Sequence, residues 1–205
     1  MSTTIRVFPV QGEKAQEFIP DLARLRIQVF REFPYLYDGD MAYEQRYLQT
    51  YIQSPRSVIV IATDGDRVVG ASTAIPMADE TDSFQQAFIK AGYDVDKIFY
   101  FGESVLLQEY RGQGIGVRFF EERELHAKRV GEFELYTFCA VERPLDHPLR
   151  PADYQDLSEF WNHRGFNKKP ELYTHYKWKD LNESLETEKK MVYWMKPVKA
   201  GMHES

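Results

Sequence analysis

Residues 98–116 read IFYFGESVLLQEYRGQGIG, and two features of that stretch can do chemistry. The first is Glu103, a single carboxylate in a run of strand-forming apolar residues. Side chains alternate along a strand, so Glu103 is expected on one face with Phe99, Phe101, Val105 and Leu107. A carboxylate there is costly unless it is paired or used. Pairing means an arginine or lysine opposite it. Use means proton transfer. An alkylammonium of pKa ~10.4 is a free nucleophile in only about one molecule in a few thousand at pH 7. A partly buried carboxylate, acting directly or through a water, is suited to take that proton.

The second feature is the glycine loop EYRGQGIG between a strand and a helix. The first N–H groups of a helix lack intrahelical partners, and the helix dipole adds partial positive charge there. Such an end binds phosphate, and glycines let the backbone approach it closely. Arg111 and Arg118 are cations that could add to the site. A P-loop needs a lysine followed by Ser or Thr, which is absent. The dinucleotide fingerprint needs a third glycine where Val117 stands. What remains is Gln/Arg-x-x-Gly-x-Gly/Ala, which Arg111, Gly114 and Gly116 satisfy.

The surrounding elements follow from periodicity. Residues 4–10 read as a strand. Phe18, Leu22, Leu25, Val29 and Phe33 mark a helical stripe over Glu13–Phe33, ended by Pro34. A second helix is expected over Met41–Gln53. SVIVIAT (57–63) and RVVGASTAIP flank an Asp-Gly turn and read as a hairpin. A short helix is expected around Ser83–Ala91, a strand over 98–107 and a helix from Gly114 to about Arg129. Another strand should span 133–141. A helix over Ala152–His163, stopped by Gly165, and two late strands complete the order. The fold class expected is α/β, with a mixed, mostly antiparallel sheet flanked by helices, one domain over 1–200 and a tail at 201–205.

This pattern resembles the GNAT superfamily of acyl-CoA N-acyltransferases. EYRGQGIG resembles that family's pyrophosphate loop, and the likeness is strongest over about residues 98–170. The resemblance implies a V-shaped splay between the central strands, where a pantetheine arm lies. It implies acetyl-CoA as cosubstrate, held by Val105, Leu106 and Leu107 and by Arg111, Gly112, Gln113, Gly114, Ile115 and Gly116. It also implies that Glu103 is the general base. The family's late-helix tyrosine, which often protonates the departing thiolate, is replaced here by Trp161. Trp161 is therefore expected to wall the thioester pocket, and Tyr154, two turns earlier on the same helix, is the alternative acid. A thiol of pKa about 8.5 also leaves without a dedicated acid.

The acceptor is expected between the first two helices and the loop after the fifth strand. Tyr35, Tyr37, Asp38 and Glu44 suit a cationic amine through cation–π and ion-pair contacts. Arg143 is the candidate for holding a carboxylate. The chain has 205 residues, 43% hydrophobic and 15% aromatic, with a formal charge of −6. That composition supports a folded core and offers no basic stripe for nucleic acid. A single cysteine, Cys139, excludes an internal disulfide. No stretch approaches the ~20 apolar residues of a membrane span. No metal-binding motif is present. The expected protein is a cytoplasmic enzyme acetylating a small-molecule amine, with a homodimer as one assembly open to it. A protein or peptide acceptor and a non-catalytic acyl-CoA sensor are the alternatives.

Overall fold

The computed structural model describes residues 5–198. The tail expected at 201–205 lies outside them. Seven strands form one sheet in the order β1-β2-β3-β4-β5-β7-β6. They are β1 (Ile5–Val10), β2 (Val58–Asp64), β3 (Arg67–Pro76), β4 (Ile98–Leu106), β5 (Leu135–Val141), β6 (Asn167–Trp178) and β7 (Thr187–Pro197). Every pairing is antiparallel except β4 with β5. Val58–Thr63 and Val69–Pro76 are buried without a break. Unbroken burial means both faces of the sheet are covered. Helices α2 (Ile19–Phe30) and α3 (Met41–Gln53) pack together on one face, and α5 (Ile115–Val130) covers the other.

Two helices differ from the sequence reading. The span 13–33 is two helices, α1 (Glu13–Gln16) and α2, and it stops at Phe30. Pro20 lacks an N–H to bond back into the preceding turn, so it sits in the first turn of a new helix. The late helix α6 is only Ser158–His163. The Asp156 carboxylate accepts from the Ser158 N–H at 2.8 Å and starts the helix there. A fourth helix, α4 (Asp82–Lys90), lies where it was expected.

The β3–β4 register contains the feature that decides the site. Ser72 pairs with Ser104 and Ala74 with Phe101, so Thr73 alone faces Gly102 and Glu103. The extra residue is a bulge in β4, which breaks the alternation of side chains. Phe101 points to α5, where its ring packs on Phe120 and under the Arg123 guanidinium. Glu103 instead reaches Arg26 on α2. It does not share a face with Phe101, contrary to the simple alternation.

Gly102 fits this bulge because a side chain would not. A methyl there would collide with the Tyr51 hydroxyl and Thr73 Oγ1. Gly102→Ala is expected to cost about 1–3 kcal/mol in urea unfolding, as overpacking does.

Candidate active site

β4 and β5 pair only at Ile98–Tyr100 with Leu135–Thr137. Beyond that, β4 stays with β3 as far as Leu106, and β5 stays with β7 as far as Val141. The two strands therefore open into a seam. Leu107 donates its N–H to the Val69 carbonyl at 3.0 Å. That bond is spent within the sheet, so of the expected backbone contacts Leu107 has no N–H to offer. Backbone direction alternates, so the Val105 groups also face β3 and those of Leu106 face the seam. The seam belongs to a cleft of about 1590 Å³, which Leu106, Ala140, Trp161, Tyr154 and Glu103 help to line. Ordinary small-molecule pockets reach about 300–1,000 Å³, so this one has room for a cofactor and a second substrate.

The glycine loop lies at the mouth of the seam. Gly112 and Gly114 have φ of 76° and 79°, which disfavours any side chain, and a Cβ on either would meet nothing within 4 Å. Their purpose is thus backbone shape and open space rather than close packing. Gly114 caps α5, whose first turn holds no acidic residue. Ile115 turns its side chain into the core. Gln113 donates to the Glu109 carbonyl at 3.2 Å and stiffens the loop. Arg111 donates to the Leu106 carbonyl at 3.1 Å and pairs with Glu32 at 2.9 Å, tying the end of α2 to the loop. Arg118 donates to the Val7 carbonyl, so it supports β1. Arg164 was not anticipated. It lines the cleft, stacks on Phe160 and leaves a buried Nε without a partner.

The inner part of the cleft carries a buried charge cluster. Arg26 is hydrogen-bonded to Glu44 and pairs with Glu103 at 2.7 Å. Burial opposes its charge, but Glu103 and Glu44 outweigh that and hold the guanidinium charged. Glu44 is fully buried, and its Oε1 has no hydrogen-bond partner. One guanidinium thus faces two carboxylates. Arg123 braces the bulge from α5, donating toward the carbonyls of Glu103 (3.4 Å) and Thr73 (3.5 Å). Burial pushes its pKa down to about 9, against the pull of Glu103. Cys139 lines the cleft beside the Tyr100 hydroxyl, and burial pushes its thiol up to about 12. A thiol held there is a poor nucleophile at neutral pH.

The sequence matches no family model, and no curated protein matches it. Solved structures do match. NAA60 of Arabidopsis thaliana in complex with acetyl-CoA superposes with TM-score 0.59 at 14% identity, over 96% of this chain and 100% of that one. A GNAT-family acetyltransferase from Streptococcus pneumoniae gives TM-score 0.55 at 12% identity, over 95% and 100%. The yncA protein of Salmonella typhimurium with its cofactor acetyl-CoA gives 0.56 at 7% identity, over 96% of both chains. The chain has the GNAT acetyltransferase fold. The seam between β4 and β5 matches the splay that the resemblance implied.

Within this GNAT fold the expected acceptor residues divide. Arg143 is not free to hold a carboxylate. Its guanidinium donates to the carbonyls of Pro34 and Tyr35, each at 2.8 Å, and pairs with buried Asp180 at 2.8 Å. It is a tie between the α2–α3 connection and the turn after β6, with Lys189 also near Asp180. Asp38 sits at the rim paired with Lys179 at 2.6 Å, and that partner holds its carboxyl below the usual range. Tyr35 packs between Phe30 and Trp178. The Tyr37 phenol is raised chiefly by burial and then by Glu44, so it faces that carboxylate. Tyr35, Tyr37 and Glu44 all line the cleft. Tyr154 is not on α6; it belongs to the preceding loop, edge-on to Phe33 and under Arg150. Trp161 is on α6 and packs against Phe138 and Trp194, each at 4.9 Å.

Proposed function

We propose that the protein transfers an acetyl group from acetyl-CoA to a primary amine of a small molecule by direct attack. The observation that carries this reading is one cleft with a glycine loop and helix start at its mouth and two carboxylates sharing the Arg26 guanidinium within. The residues fit the cofactor. The open space over Gly112 and Gly114 accepts a pyrophosphate, the orphaned Arg164 Nε supplies a cationic donor, and Leu106 offers the seam edge. When bound, the thioester supplies an electrophilic acyl carbon and a thiolate that leaves. The acetyl-CoA-bound NAA60 and yncA structures support the same assignment.

On the acceptor side, the single guanidinium of Arg26 is shared by Glu44 and Glu103, so an alkylammonium there adds a second cation on the α2–α3 face, while Arg123 acts on Glu103 from α5. The rings of Tyr35 and Tyr37, which line the same cleft, favour a cation further. Glu103 is expected to hold this ammonium beside the seam. Its Oε2 pairs with Arg26 at 2.7 Å, so holding the ammonium is the role proposed for it in place of the general base that the resemblance implies. Tyr154 is the phenol positioned in the cleft wall to serve the departing thiolate. The Cys139 thiol takes no covalent part.

The test is release of CoA thiol from acetyl-CoA in the presence of a panel of primary amines. Turnover is expected with wild type. Glu103→Gln should raise the amine KM about tenfold, the worth of one charge-assisted contact, with less effect on the KM for acetyl-CoA. Tight CoA binding without turnover on any amine would instead support an acyl-CoA-binding protein.

A further inference from the structure

A further buried carboxylate lies behind the cluster and is not used by the reading above. Glu80 follows β3 and is 4% exposed. Its Oε1 accepts from the Tyr51 hydroxyl at 3.2 Å, and its Oε2 accepts from the Thr81 N–H at 2.6 Å. The Tyr51 hydroxyl in turn lies 3.3 Å from that of Tyr47. Tyr47 lines the cleft beneath Arg26, whose guanidinium is 4.5 Å from the ring centroid. A phenol has one proton. Tyr51 gives its proton to Glu80, so Tyr47 must donate to Tyr51. That leaves the Tyr47 oxygen to accept, and Tyr47 lines the cleft. The chain is oriented to carry a proton inward.

We propose that Tyr47 and Tyr51 relay a proton from the bound ammonium to Glu80, which is the terminal proton acceptor of the reaction. The proposal rests on the amine-acetylation reading. The steps balance. The ammonium N–H bond breaks and its proton goes to the Tyr47 oxygen, the Tyr47 proton goes to Tyr51, and the Tyr51 proton goes to Glu80. The amine regains its lone pair and Glu80 becomes a neutral acid. After the product leaves, the chain runs in reverse and returns the proton to water.

The surroundings suit this role. Burial lifts the Glu80 carboxyl to about 7, against the hydrogen bonds from Thr81 and Tyr51. An acceptor that titrates near the working pH is the most effective one. The titratable groups that face it are Tyr47 and Tyr51 from α3, Glu103 from β4, Cys139 from β5, Tyr176 from β6 and Tyr193 from β7. Burial raises the four phenols and the thiol among them, so they stay neutral at pH 7. Glu103 is the remaining charge, and it raises the Glu80 carboxyl further. Among the described residues no arginine, lysine or histidine pairs with Glu80 in a salt bridge, unlike Glu44 and Glu103.

The experiment compares wild type with Glu80→Gln and Tyr51→Phe, measuring kcat/KM from pH 5.5 to 9 and the carboxyl infrared band of the ligand-free protein over the same range. Wild type should show activity falling below about pH 7 and a buried-carboxyl band titrating there. Glu80→Gln should lose about 100-fold in kcat, the low end for a general base, together with that pH limb and that band. Tyr51→Phe should lose comparable activity yet keep the infrared titration. The Tyr51 result guards against misfolding of the glutamine variant. Near-wild-type activity with an unchanged pH limb in both variants overturns the relay while amine acetylation stands. A wild type that acetylates no amine overturns the functional reading and the relay with it.

Discussion

Replacing Arg26 by methionine is expected to destabilise the protein by about 3–5 kcal/mol at pH 8, the range for stranding a buried charge by removing its partner. Two carboxylates would be stranded at once. The Glu44 side chain is fully buried and that of Glu103 is 6% exposed, and Arg26 is the cation paired with both. Their burial limits how far cleft water can compensate, most of all at Glu44. The sign with pH follows from the same physics. The stranded groups penalise the fold only while ionised, so the loss should be larger at pH 8 than at pH 5, where protonation relieves it. Adding Glu44→Gln to the methionine variant should recover part of the loss at pH 8. Urea unfolding at the two pH values measures all three effects. A loss below 1 kcal/mol at pH 8 would mean that the cluster is more hydrated than its burial indicates.

The glycine loop should behave differently, losing cofactor affinity while its structural cost is confined to local backbone strain. Gly112→Ala/Gly114→Ala places two methyl groups at positive φ, at a cost of about 1–2 kcal/mol each in local strain. Neither methyl would meet a neighbour, so there is no packing cost to add. The space they fill is the space proposed for a pyrophosphate. Affinity for acetyl-CoA is expected to fall about 100-fold, or about 2.7 kcal/mol of binding, measured by calorimetry on the folded variant. Gly102→Ala makes the contrast, because its methyl collides with Tyr51 and Thr73 and damages the fold first.

The loop was legible in the sequence because its parts are contiguous. A strand, a short glycine run and a helix start announce an anion site without knowledge of anything distant. The hairpin β2–β3 was legible for the same reason, through Asp64-Gly65 between two apolar runs. Glu103 was marked out by its neighbours, yet the face it occupies was not. A bulge is one extra residue relative to a partner strand, and a single strand does not reveal its partner's register.

The charge cluster draws on α2, α3, β4 and the turn after β3, so no local window contains it. A signal for part of it was present. Arg26 stands four residues after Leu22 and three before Val29, on the apolar stripe of α2. Glu44 stands four before Leu48 and seven before Tyr51, on the stripe of α3. Opposite charges on the buried stripes of two adjacent helices point to a buried pair. Glu80 carries no such mark, because it follows a strand end and its burial comes from elements far away in the chain. Arg143 and Asp38 looked like free acceptor contacts only because their partners, Asp180 and Lys179, lie more than one element later.

Tracing a labelled acetyl group tests most directly whether this cleft moves one from CoA to an amine. Wild-type protein is mixed with trideuterated acetyl-CoA and a panel of primary amines, and both the amines and the intact protein are weighed by mass spectrometry. The expected result is labelled amide on an amine, one CoA released for each amide, and no label on the protein, since Cys139 is a thiol held up near 12. Label retained on Cys139, or no labelled amine while acetyl-CoA binds, would contradict direct transfer in this cleft.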